Sequence, residues 1–176
     1  MTRNAAVIVL MLGLAGHMSA REPGTLVRFS GGIGVDPVAN GAAPTNADGT
    51  FQNVARNIVR GVSPGGGPWR IADLQATVTT DGRISVRGRG LLLASGNRIG
   101  QNASQRVFAT LICEVAAPFI ERSTAPTGVA LAVNGDFAID DVLSPVSPVC
   151  ASPVLLIRNV AGAWFAAGIV APTDQR

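Results

Sequence analysis

The stretch Trp69–Leu92, WRIADLQATVTTDGRISVRGRGLL, decides the fold. Ala72, Leu74, Ala76 and Val78 alternate with Asp73, Gln75, Thr77 and Thr79, a period of two with one apolar face. Beyond Asp81-Gly82, Ile84, Val86, Gly88, Gly90 and Leu92 take one face, and Arg83, Ser85, Arg87 and Arg89 the other. A two-residue Asp81-Gly82 loop would set Val78 opposite Ser85 and Ala76 opposite Arg87, mixing the faces. A three-residue loop, Thr80-Asp81-Gly82, sets Val78 opposite Ile84 and Ala76 opposite Val86. It also brings Gln75 to Arg87 and Asp73 to Arg89 on the wet face, so burial and charge both select it. Gly82 then takes the left-handed position of a type I turn with a G1 bulge, at positive φ.

The same device is predicted downstream. In Gly128–Asp140, GVALAVNGDFAID, a Val133-Asn134-Gly135 loop pairs Leu131 with Phe137 and Val129 with Ile139, with Gly135 at positive φ. Arg106–Val115, RVFATLICEV, is apolar on both faces, as a strand covered from two sides should be. Thr25–Val35 reads as a glycine-kinked strand, and Pro153–Arg158 with Ala163–Val170 as a final hairpin around Asn159–Gly162. Asn53–Val62 fits a helical stripe or a short strand, with the strand preferred. Ala39–Gln52 is loop-like, and Pro64–Pro68 breaks the chain. Gly88 and Gly90 mark a bend, or a place where Trp69 lies across the sheet. Together these elements predict an all-β chain, an antiparallel β-sandwich or small β-barrel of about 7–8 strands.

Working outward to the N-terminus, Arg3 precedes an uncharged apolar run from Ala5 to Gly16. The run is shorter than the roughly 20 residues a membrane helix needs, so it reads as a secretion signal over 1–20. Cleavage fits after Ala20 or after Ala15. Residues 21–176 are then one secreted or periplasmic domain, its ordered core mainly 25–38 and 53–171, with no transmembrane span once the leader is removed. In an exported chain the only two cysteines, Cys113 and Cys150, are expected to form a disulfide. Closing that loop would stabilise the fold by about 4 kcal/mol in the chain-entropy model. A retained leader would instead favour two buried thiols.

Composition excludes several chemistries. His17 and all three methionines lie in the leader, and the chain has no Tyr and no Lys. Ser-His, Ser-Lys and thiolate catalysis are therefore closed, and no catalytic residue is assigned. The pI near 10 comes from arginine pKa values rather than from a basic run. Removing Arg3 leaves 13 basic against 11 acidic residues, a net charge of +2, so no nucleic-acid partner is expected. Gly65-Gly66-Gly67 lacks the following Lys of a phosphate loop, and no cofactor is expected. An outer-membrane barrel is disfavoured, because without Tyr half of the usual aromatic girdle is missing.

What remains is oxygen chemistry. Asp136, Asp140 and Asp141 form the densest carboxylate cluster, and Asp136 and Asp140 share one strand face that could chelate Ca²⁺. The loop lacks the D-x-D-x-D-G pattern, so a wet hairpin face is the plainer reading. A glycosidase-like hydrolase needs only two carboxylates, and Asp73, Glu114, Glu121 and the Asp136 group supply candidates. Trp164-Phe165 reads as core packing before ligand contact. The leading expectation is a non-catalytic secreted domain acting by binding or assembly, including association of copies through an apolar sheet face. The alternatives are a carboxylate-based hydrolase and a Ca²⁺-dependent binding module.

The runs Gly67–Ile71 (GPWRI), Gly88–Gly96 (GRGLLLASG) and the ending Cys150–Arg158 with Ala163–Gly168 resemble small secreted bacterial β-rich proteins without an assigned activity. That resemblance implies export and a bacterial source. It carries no site residue.

Overall fold

In the computed structural model, residues 23–40, 45–50 and 54–172 are described. The leader expected over 1–20 lies outside them. Thirteen strands follow in chain order: β1 (Thr25–Gly34), β2 (Val38–Asn40), β3 (Val54–Arg56), β4 (Trp69–Arg70), β5 (Asp73–Thr79), β6 (Arg83–Arg89), β7 (Leu92–Leu93), β8 (Arg106–Ile112), β9 (Arg122–Ser123), β10 (Val129–Ala130), β11 (Phe137–Val142), β12 (Val154–Asn159) and β13 (Trp164–Val170). The described residues hold no α-helix, only a 3₁₀ turn at Gly96–Arg98. No helix among them is long and apolar enough to cross a membrane.

The β5–β6 hairpin has the register that burial and charge select. Val78 faces Ile84, Ala76 faces Val86, Gln75 faces Arg87 and Asp73 faces Arg89. Gly82 has φ 86° and donates its N–H to the Thr79 carbonyl at 2.9 Å, closing the three-residue loop. Leu74, Val78 and Val86 are fully buried, while Arg83, Arg87 and Arg89 stand in solvent.

This hairpin belongs to one antiparallel sheet ordered β10-β8-β12-β13-β1-β5-β6-β11, with β9 also paired to β8. The end strands, β10 and β11, are joined by the Val133–Gly135 turn, so the sheet curls into a nearly closed barrel rather than a sandwich. The core lies inside, built from Phe29, Leu74, Val86, Leu111, Leu155 and Ile157 among others. Strand β8 is buried on both faces from Val107 to Ile112. Its outward residues Thr110 and Ile112, and Leu156 of β12, are fully covered. Farther along this side, Trp69 stacks on Phe165 with ring centroids 4.1 Å apart. Trp164 donates its indole N–H to the Asn57 carbonyl at 3.0 Å. The preferred strand in Asn53–Val62 is present as β3, which pairs with β2, a short strand reaching into the start of the segment read as a loop.

Two expectations need correction. Leu131–Phe137 and Val129–Ile139 do not form a ladder. Val129 pairs with Val107 on β8, and Ile139 pairs with Val86 on β6. The three-residue turn is there: Ala132 donates to the Asp136 carbonyl at 2.9 Å, Gly135 donates to the Ala132 carbonyl at 2.8 Å, and Gly135 has φ 82°. Beyond it the two arms diverge, because each arm has a longer partner on its outer side. Farther along the same gap, Ser123 of β9, which also borders β8, and Ser144 just past β11 exchange two backbone hydrogen bonds at 3.0 and 2.9 Å. The result is a seam, pinned at both ends, with a small cavity of about 90 Å³ lined by Val107, Thr124, Val129 and Ile139. Second, Gly88 leaves room for Phe137 and not for Trp69. A Cβ at Gly88 would stand 2.1 Å from the Phe137 ring, whereas Trp69 pairs with Leu93 of β7.

Candidate functional site

The acids come first, because they are the groups that could carry chemistry. Asp136 ties its own turn to the end of β6, accepting the Asn134 amide at 2.8 Å and the Gly90 N–H at 3.0 Å. Asp140 points out from β11 to Arg87 at 2.8 Å. Asp141 spans the seam, accepting the Ala125 N–H at 2.9 Å and the Val142 N–H at 2.7 Å. The three acids close in sequence thus have three separate sets of partners. No three metal-ligating side chains gather anywhere among the described residues.

Most of the other described acids are also engaged. Asp73 meets Arg89 and Asp81 meets Arg83, both at 3.0 Å. Glu121 meets Arg158, whose guanidinium lies 5.4 Å from the Phe108 ring centre. Glu114 meets Arg122 at 2.7 Å and accepts the Ile120 N–H at 3.1 Å. The Arg122 hydrogen bond is the largest influence on Glu114. It overcomes desolvation and, with the Ile120 N–H, holds the carboxyl down at about 2. The hydrogen bond from Arg87, then one from Ser85, lowers Asp140. Asp81 is lowered chiefly by the Thr79 hydroxyl and Asp48 by the Thr50 hydroxyl. Every shift among these acids runs downward. A glycosidase general acid must be raised so that it carries a proton near neutral pH.

Cys113 and Cys150 form the disulfide across a separation of 37 residues. Ser152 donates its backbone N–H to the Cys113 carbonyl at 3.0 Å. Arg60 latches this corner to the outer layer. Its guanidinium donates to the Ser152 carbonyl and hydroxyl, both at 2.6 Å, and more weakly to the Ile112 carbonyl. It also lies 5.6 Å from the Phe119 ring centre. Arg60 occupies the left-handed region, with φ 47°, in a tight turn between Val59 and Val62. Sequence reading did not single it out. The only trace is Arg60-Gly61, a pair able to form a two-residue turn.

A second group of polar side chains lies on the outer face of β1, β5, β6 and β11. Register aligns Arg28, Thr77, Ser85 and Asp140 in one row and Ser30, Gln75, Arg87 and Ala138 in the next. Between them sits a shallow depression of about 210 Å³, and a second of about 490 Å³ adjoins it beside Arg83, Asp140 and Asp141. Comparison with family models, curated proteins and solved structures finds no match to this chain.

Proposed function

We propose that the chain is an exported, non-catalytic β-barrel domain that acts by binding or assembly. One observation carries this reading: each acid weighed for catalysis holds an arginine or a backbone N–H, and the acids with a shifted pKa are all held low. Held low, Glu114 and Asp140 serve as acceptors and not as proton donors near neutral pH. Export is supported by the leader pattern of 1–20 and by the disulfide, a bond that persists in oxidising compartments. The assembly half of the reading draws on Ile33 and Ile169, 55% and 48% exposed on β1 and β13.

Incubating the protein with neutral and acidic polysaccharides from pH 3 to 8, with detection of new reducing ends, is the direct test. The expected result is no release above a denatured control. Release that disappears in Glu121→Gln or Asp140→Asn would overturn the reading in favour of a hydrolase. Sedimentation across a hundredfold concentration range separates binding from assembly. A mass that rises with concentration and falls back in Ile33→Ser/Ile169→Ser identifies the β1–β13 face as the contact.

A further inference from the structure

The outer face of β1–β5–β6 carries more hydrogen-bond donors than its own structure uses. Arg28 and Thr77 are paired across β1 and β5, and Ser30 and Gln75 occupy the next wet-face row. Ser85 and Arg87 complete the same two rows on β6. All six side chains line one depression, and no carboxylate lines it. Among the described residues, the Arg28 side chain makes no hydrogen bond or ion pair, although it is exposed directly over the depression. Neither does the Thr77 hydroxyl. Ser30 only accepts, from the Gln75 amide at 3.3 Å, so its own O–H is available. Arg87 is half engaged, with one nitrogen on Asp140 and another on the Val86 carbonyl.

The geometry points to an oxyanion site, and we propose that this depression binds a sulfate- or phosphate-type group through Arg28, Ser30, Thr77 and Arg87. A guanidinium presents several N–H donors in a fixed fork that suits an oxyanion, and hydroxyls on neighbouring strands add further donors. Asp140, on β11, lies on the side of Arg87 away from Arg28 and holds one of its terminal nitrogens. A neutral sugar is a poorer fit, because no aromatic ring lies on this outer face: Trp69 and Phe165 stack on each other, and the Phe29 ring is buried in the core. This inference rests on the non-catalytic binding reading and names the chemistry such a face would take. The groups stand in water, so binding should be weak for one ion and should weaken with salt.

The experiment uses the ¹H–¹⁵N spectrum of the full chain. Sodium sulfate and sodium phosphate are titrated at constant ionic strength against sodium chloride. Dextran sulfate and phosphatidylglycerol vesicles form two further arms. Saturable shifts centred on Arg28, Ser30, Thr77 and Arg87, weakened at least fivefold in Arg28→Gln, are expected. A response to the inorganic ions supports a free oxyanion. One confined to dextran sulfate or to vesicles, and lost in Arg28→Gln, assigns the same group to a polymer or a lipid. Shifts that chloride reproduces, that Arg28→Gln leaves intact, or that never appear would overturn the site. Arg98→Gln, on the distant 3₁₀ turn, should change nothing. The reducing-end assay fails or succeeds independently, so loss of this site and loss of the non-catalytic reading remain distinguishable.

Discussion

Gly135 and Gly162 sit in turns of the same shape, with φ 82° and 89°, yet their surroundings differ. A Cβ on Gly135 would lie 2.6 Å from the Leu91 nitrogen and 2.7 Å from its carbonyl oxygen, both backbone atoms that cannot yield cheaply. A Cβ on Gly162 would meet only the far end of the Arg158 side chain, at 3.2 Å. Gly162→Ala should therefore cost about 1 kcal/mol, the left-handed penalty alone. Gly135→Ala should cost about 2 kcal/mol or more, read as the difference in urea midpoints at unchanged m-value. Glu114 yields a second prediction at this scale. Its carboxyl falls from an ordinary 4.5 to about 2 on folding. The stability it contributes is therefore complete above pH 4.5 and is lost as pH drops toward 2. Glu114→Gln should flatten that part of the acid limb, measured by urea midpoints taken between pH 2 and 5.

Among the elements, the seam makes its own forecast. Leu143 donates to the Gly82 carbonyl, so the odd residues of β11 direct their amides to β6. The amides of Ala138 and Asp140 then face the seam, where no ladder partner lies among the described residues. Hydrogen exchange should be fast at Ala138 and Asp140 and slow at Ile139 and Asp141. Uniform protection along β11 would mean that the seam is zipped shut. The same elements explain what the chain made legible. Period-two patterning fixes which side chains are dry, and in β5–β6 the neighbour in sequence is also the neighbour in space. Around Asn134-Gly135 the pattern still identifies turn and face, but partner choice depends on β6 and β8, which are remote in sequence. Alternation alone cannot encode that. Likewise RVFATLI announces burial on two sides without naming the outer layer, which comes from Arg60, Arg158 and the disulfide corner. Of the site, the wet rows on β5 and β6 were readable. Arg28 and Ser30 alternate with Val27 and Phe29, so their face is legible too, but their place beside Thr77 and Gln75 is not, because β1 and β5 are remote in sequence.

At the scale of the whole molecule, the disulfide and the Arg60 latch hold one corner from two directions. Cys113→Ser/Cys150→Ser releases the closed loop and should cost about 4 kcal/mol in the chain-entropy model. For a domain of this size that is a fall in Tm of roughly 8–16 °C. Scanning calorimetry would measure it, and a shift under about 2 °C would show that the latch suffices alone. The ring order of the strands has another outcome. β13 runs antiparallel beside β1, and Ala171 donates to the Arg28 carbonyl at 2.9 Å, so the described chain begins and ends at the same rim. The β10–β11 turn is the one place where consecutive arms leave for opposite ends of the sheet. A circular permutant that tethers residue 172 to residue 24 and opens within Val133–Gly135 would keep every neighbouring strand pair of the sheet. Only the closing turn would be given up, leaving the Ser123–Ser144 pair and the Asp141–Ala125 hydrogen bond alone to hold the two edges of the seam together.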